Sequence, residues 1–364
     1  MSSTDVTFAP AAFADLPHWA DDDHAAAFAA FFVSSRRLLE RARDGLKPAS
    51  PEALLRVARI AVDSSGNIQS SNDARAFFEE HFTPHRVMHA DAQGLLTGYY
   101  EPVIAGSRTR TDRFTVPVLR RPADLVNIVS ESERGAKAEA LTHARQTATG
   151  TEPYATREEI EEGALAGQGL ELVWLKDAVN AFFLHVQGSG LIAFADGTTA
   201  RITYDGKNGH PYTSVGRYLI DAGLFPADQM SLQALKDWLR ADGARGNAAM
   251  RQNKSYVFFR ELTGEAAGSA LGAMEIPLSG HRSLAVDTRY HALGTPVYVV
   301  APTLSHAGGN EGFHRLMVAQ DVGSAIRGAE RGDLYFGTGD EAGRNAGITK
   351  HPGNFFVLLP EAVP

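Results

Sequence analysis

The stretch VAQDVGSAIRGAERGDLYFGTG, residues 318–339, carries a carboxylate, Asp321, at the end of the run RLMVAQD and sets glycines at 323, 328, 332, 337 and 339 around it. A second aspartate, Asp333, follows in GAERGD. A surface ion pair needs no such setting, whereas a catalytic acid could use it. The run before Asp321 and the segments SYVFFREL, SLAVD, TPVYVV and NFFVLLP are short, β-branched and aromatic, with Gly and Pro between them. They read as strands and turns. No regular alternation of strand and helix patterns and no fixed-period repeat occurs. The fold class is therefore mainly β with peripheral helices.

Working outward, the N-terminal third reads as helix. In AAAFAAFFVSSRRLLERAR (25–43) Phe28, Phe31, Phe32, Leu38, Leu39 and Ala42 recur at helical spacing. PEALLRVARIAV (51–62) opens with Pro51 in a first helical turn behind Ser50 as cap, and NDARAFFEEHF (72–82) is a third helix. Near residue 95 the character changes to strands and turns. Thr156 and Glu159 then form a capping box for a helical island. ELVWL (171–175) and AFFLHVQG (181–188) read as strands, and GLIAFADGTTARITYDG (190–206) as a hairpin turning at Asp-Gly. SLQALKDWLRA (231–241) is an amphipathic helix capped by Ser231, and ADGARGNAAM (241–250) reads as a linker.

The 364 residues allow one large or two ordinary domains. Apolar residues make up 44% and charged residues 21%, the balance of a folded chain rather than a disordered one. A net charge of −8 without a dense Lys/Arg run argues against nucleic acid as partner. The absence of cysteine removes disulfides, thiol catalysis and Cys-ligated zinc. No run of 18 apolar residues exists, so no transmembrane segment is expected, and the first residues lack the basic start and apolar core of a signal peptide.

GTGDEAG (337–343) has its next glycine one place too late for a dinucleotide loop and lacks a following apolar helix. No P-loop, His-Glu-x-x-His or Gly-x-Ser-x-Gly motif occurs, and none of the 13 histidines pairs at ligand spacing with a carboxylate. Neither a metal nor a cofactor is expected. Carboxylate chemistry remains: Asp287 ends SLAVD, Asp321 ends RLMVAQD, and Asp333 follows. A carboxyl in a partly apolar pocket holds its proton nearer neutral pH and can protonate a glycosidic oxygen. Equally, these acids could cap turns or pair with Arg282, Arg289 or Arg327.

Several segments together resemble the MltA family of lytic murein transglycosylases. They are LLTGYYEPVIAGSRTRT (95–111), the segment 158–192 with FFLHVQGSG, RITYDGKNGHPYTSVGRYLI (201–220), MSLQALKDWL (230–239), NKSYVFFRE (253–261), and SLAVDTRYHALGTPVYV through DVGSAIRGAERGDLYFGTGDEAG (283–343). Asp287, Asp321 and Asp333 match the three aspartates that name the 3D domain. The resemblance implies a double-psi β-barrel built from residues 1–104 and 253–364, a smaller β-rich domain inserted at 105–252, and a groove between them. It implies cleavage of the β-1,4 bond between N-acetylmuramic acid and N-acetylglucosamine in peptidoglycan, the muramyl C6 hydroxyl closing a 1,6-anhydro ring. Because that nucleophile comes with the substrate, one acid can serve both steps.

On the motif match that acid is Asp321, with Asp333 and Asp287 as helpers. Expected glycan contacts are Tyr99, Tyr100, Glu101, Gln187, Gly188, Ser189, Asn208, His210 and Tyr212. Only one of Tyr99 and Tyr100 is expected to face the groove, since strand neighbours point to opposite sides. Glu101 reads as either a sugar ligand or a solvated charge, and Asp340 and Glu341 as loop charges. The expected partner is the peptidoglycan glycan strand. The expected location is the periplasm, with outer-membrane association open, a signal peptide missing from the sequence, and no cysteine for a lipid anchor. The rival readings are a hydrolase on the same glycan and a non-catalytic murein-binding module.

Overall fold

A computed structural model describes residues 6–44, 51–90, 94–129 and 141–360. The chain divides into two compact units, one of residues 1–99, 271–337 and 349–364, the other of residues 100–270 and 338–348. The junctions expected after 104 and 252 move to 99 and 270. The strand Val257–Glu261 pairs with Thr199–Lys207, which keeps the residues just after 253 in the second unit. By residue count the two units are equal.

In the first unit eight strands form one sheet. Its order is Thr7–Pro10, Phe82–Met88, Lys350–Pro360, Pro296–Ala301, Phe313–Asp321, Ser283–Ala285, Arg331–Thr338 and Gly94–Glu101. Lys350–Gly353 also pairs with Gly94–Thr97, so the last six strands close into a ring. Closure satisfies strand edges that would otherwise be open. Leu284, Val297, Leu316, Leu334 and Phe355 are all fully buried. Gly332 packs here because a Cβ would meet the Phe355 ring at 2.7 Å and Leu96 at 3.2 Å.

Three helices cover this sheet: His24–Arg43, Glu52–Asp63 and Ser71–His81. Their apolar faces join one cluster with the strands, in which Phe28, Phe31, Phe77, Phe78 and Phe82 meet Tyr298, Leu316 and Leu358. The rings lie mostly edge to face, as their quadrupoles favour. Pro51 stands at the N-cap of its helix rather than in the first turn, and the Ser50 cap lies outside the described residues. Ser70 caps the third helix through Asp73 N–H.

The second unit holds a six-stranded sheet ordered Val257–Glu261, Thr199–Lys207, Ser189–Ala193, Val103–Ser107, Glu171–Leu175 and Val116–Leu119, with a three-stranded sheet beside it in sequence. The Asp196-Gly197 hairpin forms as expected, Gly197 supplying a φ of 84°. Residues 178–187 form a helix, not the expected strand. Its apolar run is continuous, so periodicity alone cannot separate the two states. Asp177 caps Asn180 N–H at 2.8 Å, and Gly188 closes the helix at a φ of 78°.

Residues 243–251 are also helix, not linker. Asp242 caps it, and Gly246 is needed for packing, since a Cβ there would meet the Leu239 carbonyl at 2.1 Å. Asp340 and Glu341 lie in the first turn of the helix Asp340–Ile348 rather than in a loop, where acidic side chains favour the helix dipole. Among the described residues no helix is long and apolar enough to cross a membrane.

Candidate active site

Asp321 is the last residue of its strand, where the ladder is irregular. The parallel pairing of Leu284 with Ala319 is followed by that of Ala285 with Asp321, so Gln320 is bulged. Bulges re-aim side chains at strand ends. Gln320 itself is fully buried, bonded to Ser283 and to Ser34 and the Ala30 carbonyl of the first helix. It anchors the residue before the acid.

Asp321 is half-buried. Oδ1 accepts the backbone N–H groups of Ala273 and Val322, each at 2.9 Å, and Oδ2 accepts the Tyr99 hydroxyl at 2.9 Å. Burial raises its pKa to about 6, against the opposing pull of Val322 N–H, Tyr99 and Ala273 N–H. Ala273 belongs to the turn at residues 271–277, closed by the Leu271–Pro277 bridge. Gly272 lets that turn approach: a Cβ would meet the Gln320 carbonyl at 2.7 Å and Asp321 Cβ at 3.4 Å.

Asp333 enters from the antiparallel strand on the other side of Ala285. Thr97 donates its hydroxyl to Asp333 Oδ1 and accepts Arg331 Nη2 at 2.8 Å. Burial raises the Asp333 pKa to about 6, Thr97 and Arg331 oppose the rise, and the Asp321 charge adds to it. Thr97 and Tyr99 are two apart on one strand and so share a face, while Leu96 lies on the opposite face and is fully buried. The Tyr99 ring packs on Tyr335, centroids 5.1 Å apart. Its phenol pKa lies well above the usual value, through burial first and then the neighbouring Asp321, so the hydroxyl stays a donor.

Asp287 is different. It is fully buried, and burial alone would raise its pKa, but Arg289 and the N–H groups of Gly328 and Arg289 outweigh that and hold it below the ordinary value. Its Oδ2 accepts Gly328 N–H at 2.9 Å, tying down the loop that follows Asp321. This is the Arg289 pairing that the sequence left open, and a carboxylate so held is not a proton donor near neutral pH.

The other expected contacts all lie in the second unit, and most are spent on its fold. Glu101 is fully buried, its oxygens taken by Arg201 at 2.8 and 3.1 Å and by Thr338 at 2.7 Å, so it is neither solvated nor open to a sugar. Asn208 is also fully buried; it donates to the carbonyls of Ala155 and Lys254 and accepts from Tyr256 N–H. Tyr100 is buried against Gly343, and its N–H donates to Gln187 Oε1 at 3.0 Å. Gly188 caps a helix, Ser189 is buried in its strand, and His210 Nε2 lies 2.8 Å from the Tyr154 carbonyl. Tyr212 is partly exposed.

Tyr99, Asp321 and Asp333 are thus the expected residues that the barrel brings together. Thr97, Gly272 and Ala273 were not anticipated. Thr97 could have been found, since it lies two places before Tyr99 on a strand of period two. Ala273 acts through its backbone and leaves no side-chain signature.

A closed barrel presenting a proton-holding carboxyl at a strand end is the class of site defined here, and comparison gives the family. Residues 95–260 match the MltA specific insert domain, and residues 282–359 match the 3D domain. The membrane-bound lytic murein transglycosylase A of Vibrio cholerae is 36% identical over 280 residues, 75% of this chain and 68% of that protein. The crystal structure of a membrane-bound lytic murein transglycosylase from Agrobacterium tumefaciens superposes with a TM-score of 0.86 at 34% identity, covering 97% of this chain and 98% of that one. The structure of Escherichia coli MltA with bound chitohexaose gives a TM-score of 0.70 at 28% identity, covering 100% and 96%. The chain belongs to the family of membrane-bound lytic murein transglycosylase A.

Proposed function

We propose that this enzyme cleaves the β-1,4 bond between N-acetylmuramic acid and N-acetylglucosamine in peptidoglycan and leaves a 1,6-anhydromuramyl end, with Asp321 as its single acid and base. The observation that carries this reading is the setting of Asp321: a half-buried acid at a strand end, its pKa raised by burial to about 6, with donors on both oxygens. Such a group holds a proton to give and, once ionised, is stabilised enough to take one back. Protonated Asp321 gives its proton to the glycosidic oxygen as the C1–O bond breaks. Ionised Asp321 then takes the muramyl C6 hydroxyl proton as O6 bonds to C1. The proton returns to the carboxyl, and no water is consumed. The relatives' names and the chitohexaose bound by the Escherichia coli protein support a β-1,4-linked glycan as substrate.

The neighbouring Asp333 favours hydrolysis as the second reading, because hydrolases use a second carboxylate to activate water or attack the sugar. Digestion of sacculi in 18O-water separates them. Anhydro ends free of 18O are expected; reducing muramic ends carrying 18O would establish the hydrolase. A peptidoglycan substrate supports a periplasmic location for the enzyme.

A further inference from the structure

We propose that Tyr99 is a positioning residue for Asp321, whose hydroxyl reserves Oδ2 as the oxygen that carries the transferred proton. The inference rests on the reading of Asp321 as the acid and base. Oδ1 faces two backbone N–H groups, of Ala273 and Val322, whose hydrogens cannot turn away. A proton on Oδ1 would be driven against them. Among the described residues Oδ2 accepts from the Tyr99 hydroxyl, whose hydrogen rotates about its C–O bond.

With Asp321 protonated, the Tyr99 hydrogen turns aside and Oδ2–H is free to bond to the glycosidic oxygen. As that proton leaves, the Tyr99 hydroxyl swings to Oδ2 and donates to the new anion. The return of a proton from the sugar hydroxyl reverses the movement, and Tyr99 itself gains and loses nothing. Packing on Tyr335 holds the ring. Among the described residues, Asp333 interacts electrostatically with Asp321 and itself pairs with Arg331, and Tyr99 is flanked by Asp321, Asp333 and Tyr335. Of these side chains, Tyr99 is the one bonded to the carboxylate.

The test is Tyr99→Phe, which keeps the ring and removes the donor. The alkaline limb of kcat/KM on murein, and the Asp321 carboxyl resonance followed by carbon NMR against pH, should both move about one unit upward, because the anion loses a hydrogen bond. The resonance is assigned by its loss in Asp321→Asn and needs no activity. A raised KM with limb and resonance unmoved would make Tyr99 a sugar contact and overturn the inference. If Asp321→Asn is inactive but Tyr99→Phe shifts neither readout, the acid stands and the role of Tyr99 falls. If Asp321→Asn stays active, the acid assignment falls and this inference falls with it.

Discussion

Asp321 and Asp333 flank the same residue: Ala285 is in register with Asp321 on its parallel side and with Asp333 on its antiparallel side. Two strand spacings, about 10 Å between backbones, separate two carboxyls that both titrate at about 6. The strand carrying Thr97 and Tyr99 supplies one hydroxyl to each. The pair shares one electrostatic environment, so ionising one makes ionising the other harder.

The pH dependence follows from the sign of these shifts. Departure of the leaving sugar needs Asp321 protonated, and its pKa of about 6 is raised from 3.8 by burial. The value of kcat/KM is expected to hold up to about pH 6 and then fall about tenfold per unit as the proton is lost. Initial rates on sacculi across pH 4 to 9 check this. A rate still rising through pH 8 would contradict it.

Asp333 should cost stability at neutral pH. Its folded pKa exceeds its unfolded one, so its contribution is fully favourable below about pH 4 and is lost as pH rises through about 6. Discounted for partial exposure, the deficit is about 1–2 kcal/mol. Asp333→Asn keeps the acceptor for Thr97 and removes the charge. Its urea midpoint should exceed that of the wild type at pH 7.5 and match it at pH 4. A lower midpoint at pH 7.5 would show that the charge stabilises the fold.

Glu101 should behave as a structural residue. Glu101→Ala strands the Arg201 guanidinium, which is 10% exposed, and breaking such a buried pair from one side costs about 3–5 kcal/mol. Denaturant unfolding should show that loss, with KM unchanged in the folded fraction. A raised KM with unchanged stability would restore Glu101 as a sugar ligand.

Gly272→Ala tests the backbone half of the Asp321 cradle. The added methyl presses on the Gln320 carbonyl and pushes the Ala273 N–H away from Oδ1. A misplacement on that scale should lower kcat about 10–100-fold while leaving KM nearly unchanged. Wild-type kcat in a folded variant would show that Ala273 N–H is dispensable.

The barrel strands Ser283–Ala285, Pro296–Ala301, Phe313–Asp321 and Lys350–Pro360 are legible as short β-branched or aromatic runs set off by Gly, Pro or Asp, whereas Arg331–Thr338 carries no such run. The sequence made Asp321 and Asp287 candidates because each ends such a run, and Asp333 because it follows Asp321 within GAERGD. It misled where burial hides periodicity, as in the helix at residues 178–187, and where glycine serves close packing rather than flexibility, as at Gly246. Segment resemblance named Glu101 and Asn208 as glycan contacts, but both are fully buried and bonded within the fold. Residues 271–277 stayed invisible because their contribution is one N–H group and the absence of one side chain.

The central claim is that Asp321 alone moves the proton. Mass spectrometry of soluble products from sacculi, comparing wild type, Asp321→Asn and Asp333→Asn at matched folding, tests it most directly. The account predicts anhydromuropeptides from the wild type, a loss of about 10²–10⁴-fold in Asp321→Asn, and measurable anhydro product in Asp333→Asn. Anhydro product released by Asp321→Asn at close to the wild-type rate would contradict it.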